Sequence, residues 1–420
     1  MGEWTLNSWQ NYVLKQQPVY PDSAFLMNVL QTLSSFSGIV RIIEIEYLKT
    51  LLSQHSHFIL QAGDCAETFD DCHSASTSAR VRCLLRMRSI LETEAKLSVL
   101  ILARMAGQYA KPRSFPAESI NGLLIPSYRG DLIHSFLPSA SARIPDPKRL
   151  LLGYYFSKRT LCQIKSIFNS ASPNYLLDQS PLMAHKFFTS HEALHLRYEQ
   201  SMTRKDLQSN RYYNLGAHLV WLGERTRFLT SGHVEYLRGI ENPLGIKIGP
   251  SCDITELEKI IQILNPQNQA GKLILILRLG IKECTNKLPH LLQRLKSYNV
   301  SWICDPMHGN TIKMKNEIKT RYVHTILQEL IENINIFHKV KMPFSGIHLE
   351  TACENVTECV GLDVSEKDLI KNYLSYCDPR LNPVQFKYLI LGIVKHLGKS
   401  DQNAQRVCAM NKFQKQRLTL

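Results

Sequence analysis

With 420 residues, 44% of them hydrophobic, the chain is long and apolar enough to bury a large core, which excludes disorder over most of its length. A net charge of +14 suits nucleic acid, an anionic membrane surface or small anionic substrates. Zinc-finger spacing and aromatic-basic RNA signatures are both missing, and no stretch approaches the roughly 18 uncharged apolar residues of a membrane helix. The expectation is therefore a soluble protein with no nucleic-acid or membrane partner, and the tail cations Lys412, Lys415 and Arg417 count as solvated surface.

The opening Met1-Gly2-Glu3-Trp4 has no basic-then-apolar leader, so a cytoplasmic address is expected. The eleven cysteines lack disulfide-framework spacing and are expected to be mostly reduced thiols. In chain order, residues 1–52 are expected to form an N-terminal extension. It contains Gln16-Gln17-Pro18-Val19-Tyr20-Pro21-Asp22 and should pack on the remainder or on a second subunit. Residues 53–420 then alternate short β-rich apolar runs with amphipathic stretches. Strands are expected near Phe58–Gln61, Val99–Ala103, Gly122–Ile125, Leu219–Leu222, Gly245–Ile248, Leu273–Leu277, Trp302–Cys304 and Gly346–Leu349. Helices are expected over Ser78–Glu94, Glu192–Thr203, Ile254–Ile263 and Leu288–Lys296. This α/β pattern predicts a (β/α)8 barrel.

Barrel enzymes build their sites from loops at the C-terminal ends of strands, and here those ends carry metal ligands and cations. Cys65 follows the first strand, Arg104 closes the second and leads to Lys111, and Glu224 and Arg225 follow the fourth. Lys247 lies in the fifth, Arg278 ends the sixth, His308 follows the seventh and Glu350 ends the eighth. Cys65, His308, Glu350 and a later acid such as Asp378 offer a thiolate, an imidazole and two carboxylates to Mn²⁺, Co²⁺, Fe²⁺ or Zn²⁺. Singly, each has an ordinary explanation: a buried thiol, a turn histidine, half of an ion pair. Their convergence on one mouth is what favours ligation. Arg104, Lys111, Arg225, Lys247 and Arg278 are singly surface ion-pair partners and jointly a site for a polyanion. Lys247 and Arg278 sit in or beside apolar strands, where an unpaired cation is costly and a bound anion relieves the cost.

These motifs resemble the class II, plant-type 3-deoxy-D-arabino-heptulosonate 7-phosphate synthases over nearly the whole chain. The resemblance is carried by Gln61-Ala62-Gly63-Asp64-Cys65-Ala66-Glu67, Arg104-Met105-Ala106-Gly107-Gln108-Tyr109-Ala110-Lys111-Pro112-Arg113-Ser114 and Trp221-Leu222-Gly223-Glu224-Arg225. Further matches are Lys247-Ile248-Gly249-Pro250-Ser251, Cys304-Asp305-Pro306-Met307-His308-Gly309, His348-Leu349-Glu350 and Cys377-Asp378-Pro379-Arg380. It implies that Cys65, His308, Glu350 and Asp378 bind a divalent metal, with Mn²⁺ or Co²⁺ ahead of Zn²⁺ or Fe²⁺. It also implies that Arg104, Glu224, Arg225, Lys247 and Arg278 line a phosphoenolpyruvate site, with Lys111, Arg113, Ser114 and Lys319 near the second phosphate. The implied reaction joins phosphoenolpyruvate to erythrose 4-phosphate at a metal-polarised aldehyde. Protons would be moved by a metal-bound water, Lys111 or Glu224, with Cys65 and His308 holding the metal, and a homo-oligomer is a family-level expectation.

The chain departs from the family at Ala352-Cys353, where Thr-Gly is usual, at Leu362, where a second glycine is usual, and at Leu279, where methionine is usual. Cys377 adjoins Asp378 and is expected near Cys65. Two alternatives stay open: an amino- or imino-sugar synthase of the same family, and a catalytically silent, nucleic-acid-binding barrel. Between Ser114 and Ser190 the chain is shorter than the longer family members, which carry helices there that sense aromatic amino acids. Tryptophan and phenylalanine should therefore leave turnover unchanged in a feedback assay; strong inhibition by either contradicts this.

Overall fold

A computed structural model describes residues 2–120, 122–171, 180–315 and 317–397; the basic tail lies outside them. Eight parallel strands close a barrel: β1 (His57–Gly63), β2 (Ser98–Arg104), β3 (Phe187–Glu192), β4 (Leu219–Leu222), β5 (Leu244–Ile248), β6 (Leu273–Leu277), β7 (Val300–Cys304) and β8 (Gly346–Glu350). Each strand pairs with its neighbours in sequence, and β8 returns to β1. Helices such as Ser74–Glu94, Ile254–Leu264, Ile281–Leu295 and Val323–Lys339 alternate with the strands. Among the described residues, no helix is long and apolar enough to cross a membrane.

The third strand corrects the sequence reading. Gly122–Ile125 was expected in the barrel, but Leu123–Pro126 pairs antiparallel with Ala117–Ile120 in a separate hairpin. Leu123 and Leu124 are 64% and 77% exposed, whereas Phe187, Phe188, Thr189 and Ser190 are buried, so Phe187–Glu192 is the segment able to sit between β2 and β4. The helix expected from Glu192 starts instead at Leu196, because the His195 ring caps it by accepting the Tyr198 N–H.

Parallel barrel strands are covered on both faces, so their side chains divide by parity. One set, including Leu60, Ile101, Ile246 and Leu275, packs outward beneath the helices. The other set points inward, where Ile59, Leu100, Leu102, Phe188, Leu219, Ile274, Ile276 and Ile303 form one cluster with Leu48, Leu51 and Leu52. Helix Ile42–Ser53 thereby seals the N-terminal end of the barrel. Two residues further along the same inward rows, apolar side chains give way to Arg104, Ser190, Arg278 and Asp305, with Glu192 following Ser190 on its row. The chemistry is thus confined to the opposite mouth.

Register places Gly63 level with both Arg104 and Glu350. Gly63 has φ +142°, and a Cβ there would meet the Arg104 carbonyl at 2.8 Å, so no larger residue permits this approach. The reverse situation holds at Leu362, which carries a side chain at φ +59° and is 53% exposed. A left-handed backbone disfavours any side chain by about 1–2 kcal/mol. Leu362→Gly should raise the thermal midpoint, equivalent to about 1 kcal/mol; an unchanged or lower midpoint contradicts this.

Candidate active site at the barrel mouth

Cys65, Glu350 and Asp378 bring one ligand atom each within 4.8 Å of one another. The ammonium of Lys111 lies among them. Its Nζ is 2.8 Å from Cys65 Sγ, 2.9 Å from Glu350 Oε1 and 3.1 Å from Asp378 Oδ2. His308 joins the same centre, its Nε2 being 3.4 Å from Lys111 Nζ and 3.0 Å from Glu350 Oε1. A thiol, an imidazole and two carboxylates converging on one cationic atom is a donor set suited to a divalent ion.

Electrostatics shift these donors in different directions. Burial alone would raise the Glu350 carboxyl, but His308, Lys111 and Arg321 hold it well below its usual range, with Arg321 Nη1 2.8 Å from Oε2. Asp378 is likewise held low against burial by Lys111, and Lys319 contributes. Burial raises the Cys65 thiol, reinforced by its hydrogen bond with Cys377 and by Glu350. Burial lowers the His308 pKa, with Asp305 and Glu350 opposing the shift. His308 Nδ1 donates to Asp305 Oδ2 at 2.8 Å, so Nε2 keeps the lone pair a metal needs.

A cavity of about 200 Å³ adjoins this centre, lined by Arg104, Glu192, Trp221, Arg225, Lys247 and Arg278 among others. Arg278 Nη2 donates to the His308 carbonyl at 3.3 Å, while its Nε is buried without a partner. Arg225 has its pKa lowered by burial and then by the nearby Arg278, while Glu192, Asp378 and Glu224 oppose the shift. Like charges held together in this way favour an anion between them. Lys247 differs from expectation: it is not unpaired, since it pairs with Asp305 and donates to His348 Nε2 at 2.8 Å. Burial, opposed by Asp305, pushes its pKa down to about 8.

The remaining expected residues also reach the mouth. Glu224 accepts from Arg227 and from the Gly249 N–H. The Arg113 guanidinium donates to Glu118 at 2.6 Å and to the Tyr128 carbonyl at 2.6 Å, so part of its donor capacity is already used. Ser114 Oγ accepts from Arg225, and Lys319 donates to Asp378 at 2.9 Å.

Four residues with no role assigned from sequence complete the site. Asp305 bridges Lys247 and His308. His348 receives Arg104 Nη1 at 2.7 Å and Lys247 on Nε2, while its Nδ1 donates to Gln61 Oε1. Arg321 pairs with Glu350. Glu192 has its carboxyl raised by burial and its Oε1 buried without a partner; a Cβ on Gly223 would fall 2.0 Å from that oxygen. Alternation along β8 points His348 inward with Glu350 and was available as a signal. Glu192 was hidden because its strand was misplaced.

Fold and site together define a barrel enzyme class in which a mixed thiolate, imidazole and carboxylate centre sits beside an anion pocket. The model of the class-II DAHP synthetase family matches residues 4–180 and 174–393, and the chain belongs to that family. It is 37% identical to a phospho-2-dehydro-3-deoxyheptonate aldolase of Neurospora crassa, over 94% of each chain. It is 35% identical to one of Streptomyces coelicolor, over 90% of this chain and 94% of the relative. A solved structure of phospho-2-dehydro-3-deoxyheptonate aldolase from Francisella tularensis shares the fold, with a TM-score of 0.51 at 13% identity, covering 92% of this chain and 98% of that one.

All ten described cysteines are free thiols, and Cys377 hydrogen-bonds Cys65. Air oxidation of metal-free protein should join these two sulfurs and abolish metal uptake. Peptide mass spectrometry that finds both thiols free after oxidation contradicts this.

Proposed function

We propose that the chain is a 3-deoxy-D-arabino-heptulosonate 7-phosphate synthase, condensing phosphoenolpyruvate with erythrose 4-phosphate and water to the seven-carbon keto sugar phosphate and inorganic phosphate. The observation that carries this reading is a cavity lined by Arg104, Arg225, Lys247 and Arg278 beside Cys65, Glu350 and Asp378, whose ligand atoms lie within 4.8 Å of one another, with His308 3.0 Å from Glu350. Arg104, Arg225, Lys247 and Arg278 clamp the phosphate and carboxylate of phosphoenolpyruvate and hold its C3 toward the aldehyde. Cys65, His308, Glu350 and Asp378 hold the divalent ion, Mn²⁺ or Co²⁺ in this reading, which supplies Lewis acidity toward the aldehyde oxygen. C3 attacks the aldehyde carbon, water adds at C2, and the resulting carbinol expels phosphate as its C–O bond breaks. Glu192, whose raised carboxyl has an unpartnered oxygen, is the best-placed group to take the proton of the attacking water, ahead of the Glu224 carboxylate already held by Arg227 and Gly249. Lys111 is placed to protonate the nascent alkoxide. Arg113, Ser114 and Lys319 orient the second phosphate. The enzyme acts as a cytoplasmic homo-oligomer in the same reading.

Product analysis tests the assignment. The keto sugar phosphate should form from erythrose 4-phosphate, whereas product only from a nitrogen-bearing electrophile would select the amino-sugar alternative. Salt-dependent RNA or DNA binding without turnover would select the silent barrel. Lys247 adds a pH test. Its ammonium is charged below about 8 and neutral above, so anion affinity is present on the acid side and lost as pH rises. We expect kcat/KM for phosphoenolpyruvate to fall through about 8 while kcat persists to higher pH, because a bound anion keeps the ammonium protonated. A flat kcat/KM across that range contradicts the assignment.

A further inference from the structure

We propose that Gln16, in the N-terminal segment, is a positioning residue for the second substrate: its side-chain amide sets the Arg113–Ser114 loop against which the erythrose 4-phosphate phosphate docks. The inference rests on the synthase reading above. Gln16 Nε2 donates to the Arg113 carbonyl at 3.1 Å, and Gln16 Oε1 accepts the Arg113 N–H at 3.0 Å. A primary amide offers a donor and an acceptor in one plane, so it pairs with both backbone groups of a single residue as a neighbouring strand would. Among the described residues the Arg113 N–H and C=O pair only with this amide, so the orientation of its peptide depends on it.

The backbone of Gln16 is itself held for the task. It adopts φ +62°, a left-handed conformation that a non-glycine residue keeps only when its surroundings fix it. The Arg129 guanidinium does so by donating to the Gln16 carbonyl and, at 3.4 Å, to that of Gln17. On either side the segment is tied to two more mouth loops. Gln17 donates to the Leu194 carbonyl at 2.7 Å and accepts the Leu196 N–H at 3.0 Å. Val13 exchanges backbone hydrogen bonds of 2.9 and 3.0 Å with Thr230 and Gly232. One strap therefore sets three loops relative to each other.

Beneath the strap lies a second, outer cavity of about 570 Å³, whose lining includes Lys15, Gln16, Arg113, Ser114, Arg225 and Phe228. Arg113, Ser114, Glu224 and Arg225 line both cavities, so the loop that Gln16 holds borders both. Ser114 in turn accepts from Arg225, so displacing the Arg113–Ser114 peptide moves a phosphate contact without moving the metal ligands.

The test is Gln16→Gly, which removes the amide while glycine keeps the left-handed backbone at no steric cost. We expect the KM for erythrose 4-phosphate to rise about tenfold or more, with a smaller rise in that for phosphoenolpyruvate through the Ser114–Arg225 contact and with bound-metal content and thermal midpoint unchanged. Hydrogen exchange provides a readout free of turnover: the Arg113 amide should exchange about tenfold faster in the variant. An Arg113 amide exchanging at the wild-type rate overturns the inference, as does an equal rise in both KM values or none in that for erythrose 4-phosphate. Wild-type protein that releases no phosphate overturns the synthase reading and with it the named substrate, and the exchange rate then decides the positioning contact by itself.

Discussion

The structure turns on keeping several like charges buried together at one end of a closed barrel. An ionised carboxylate out of water costs several kcal/mol unless it is paired and hydrogen-bonded. Glu350 is completely buried and stays ionised because Lys111, Arg104, Arg321 and His308 all reach it. Lys111 is the hinge of this arrangement, since it also neutralises Asp378 and touches Cys65. Removing one partner would leave a buried charge uncompensated, so these residues form a single unit. The rest of the fold supports that unit. Gly63 allows β2 and β8 to bring Arg104 and Glu350 to one level beside it, two residues before Cys65, and the Ile42–Ser53 helix closes the far end with apolar side chains.

The neighbouring anion pocket is built on the opposite principle. Arg225 and Arg278 both line the cavity and repel each other, a cost that a bound polyanion would relieve. Lys247 marks the boundary between the two regions: it shares Asp305 with His308 and shares His348 with Arg104. Anion binding and the geometry of a metal ligand are therefore linked through one carboxylate. Such sharing is how a site stores binding energy as orientation.

Much of this was readable in the sequence because barrel strands place their chemistry at a fixed offset. Arg278 directly follows Leu273–Leu277, and Glu350 closes an apolar run, so both announce an inward charge at a strand end. The third strand escaped because Phe187–Glu192 has only two apolar residues followed by the buried polar run Thr189, Ser190 and His191 and then Glu192, whereas Leu123–Ile125 looks more strand-like and is in fact part of a largely exposed hairpin. Pairing was less legible still. Lys247 and Asp305 are 58 residues apart, and Gln16 lies 97 residues from Arg113, so only the folded chain reveals that one cation is paired and that the Arg113 peptide is held from the N-terminal segment. The family resemblance supplied roles for the ligands but not for Asp305, His348, Arg321 or Glu192, which sit around those ligands.

The central claim is that Cys65 and its partners form one metal centre on which condensation depends. It is tested most directly by loading wild-type and Cys65→Ser protein with Mn²⁺ or Co²⁺ and following metal content and phosphate release from phosphoenolpyruvate together. The account predicts about one ion per wild-type chain, phosphate release only when erythrose 4-phosphate is present, and loss of both ion and release in the folded variant. A Cys65→Ser protein that keeps its ion and its turnover, or a loaded wild-type protein that releases phosphate without the aldehyde, would contradict it.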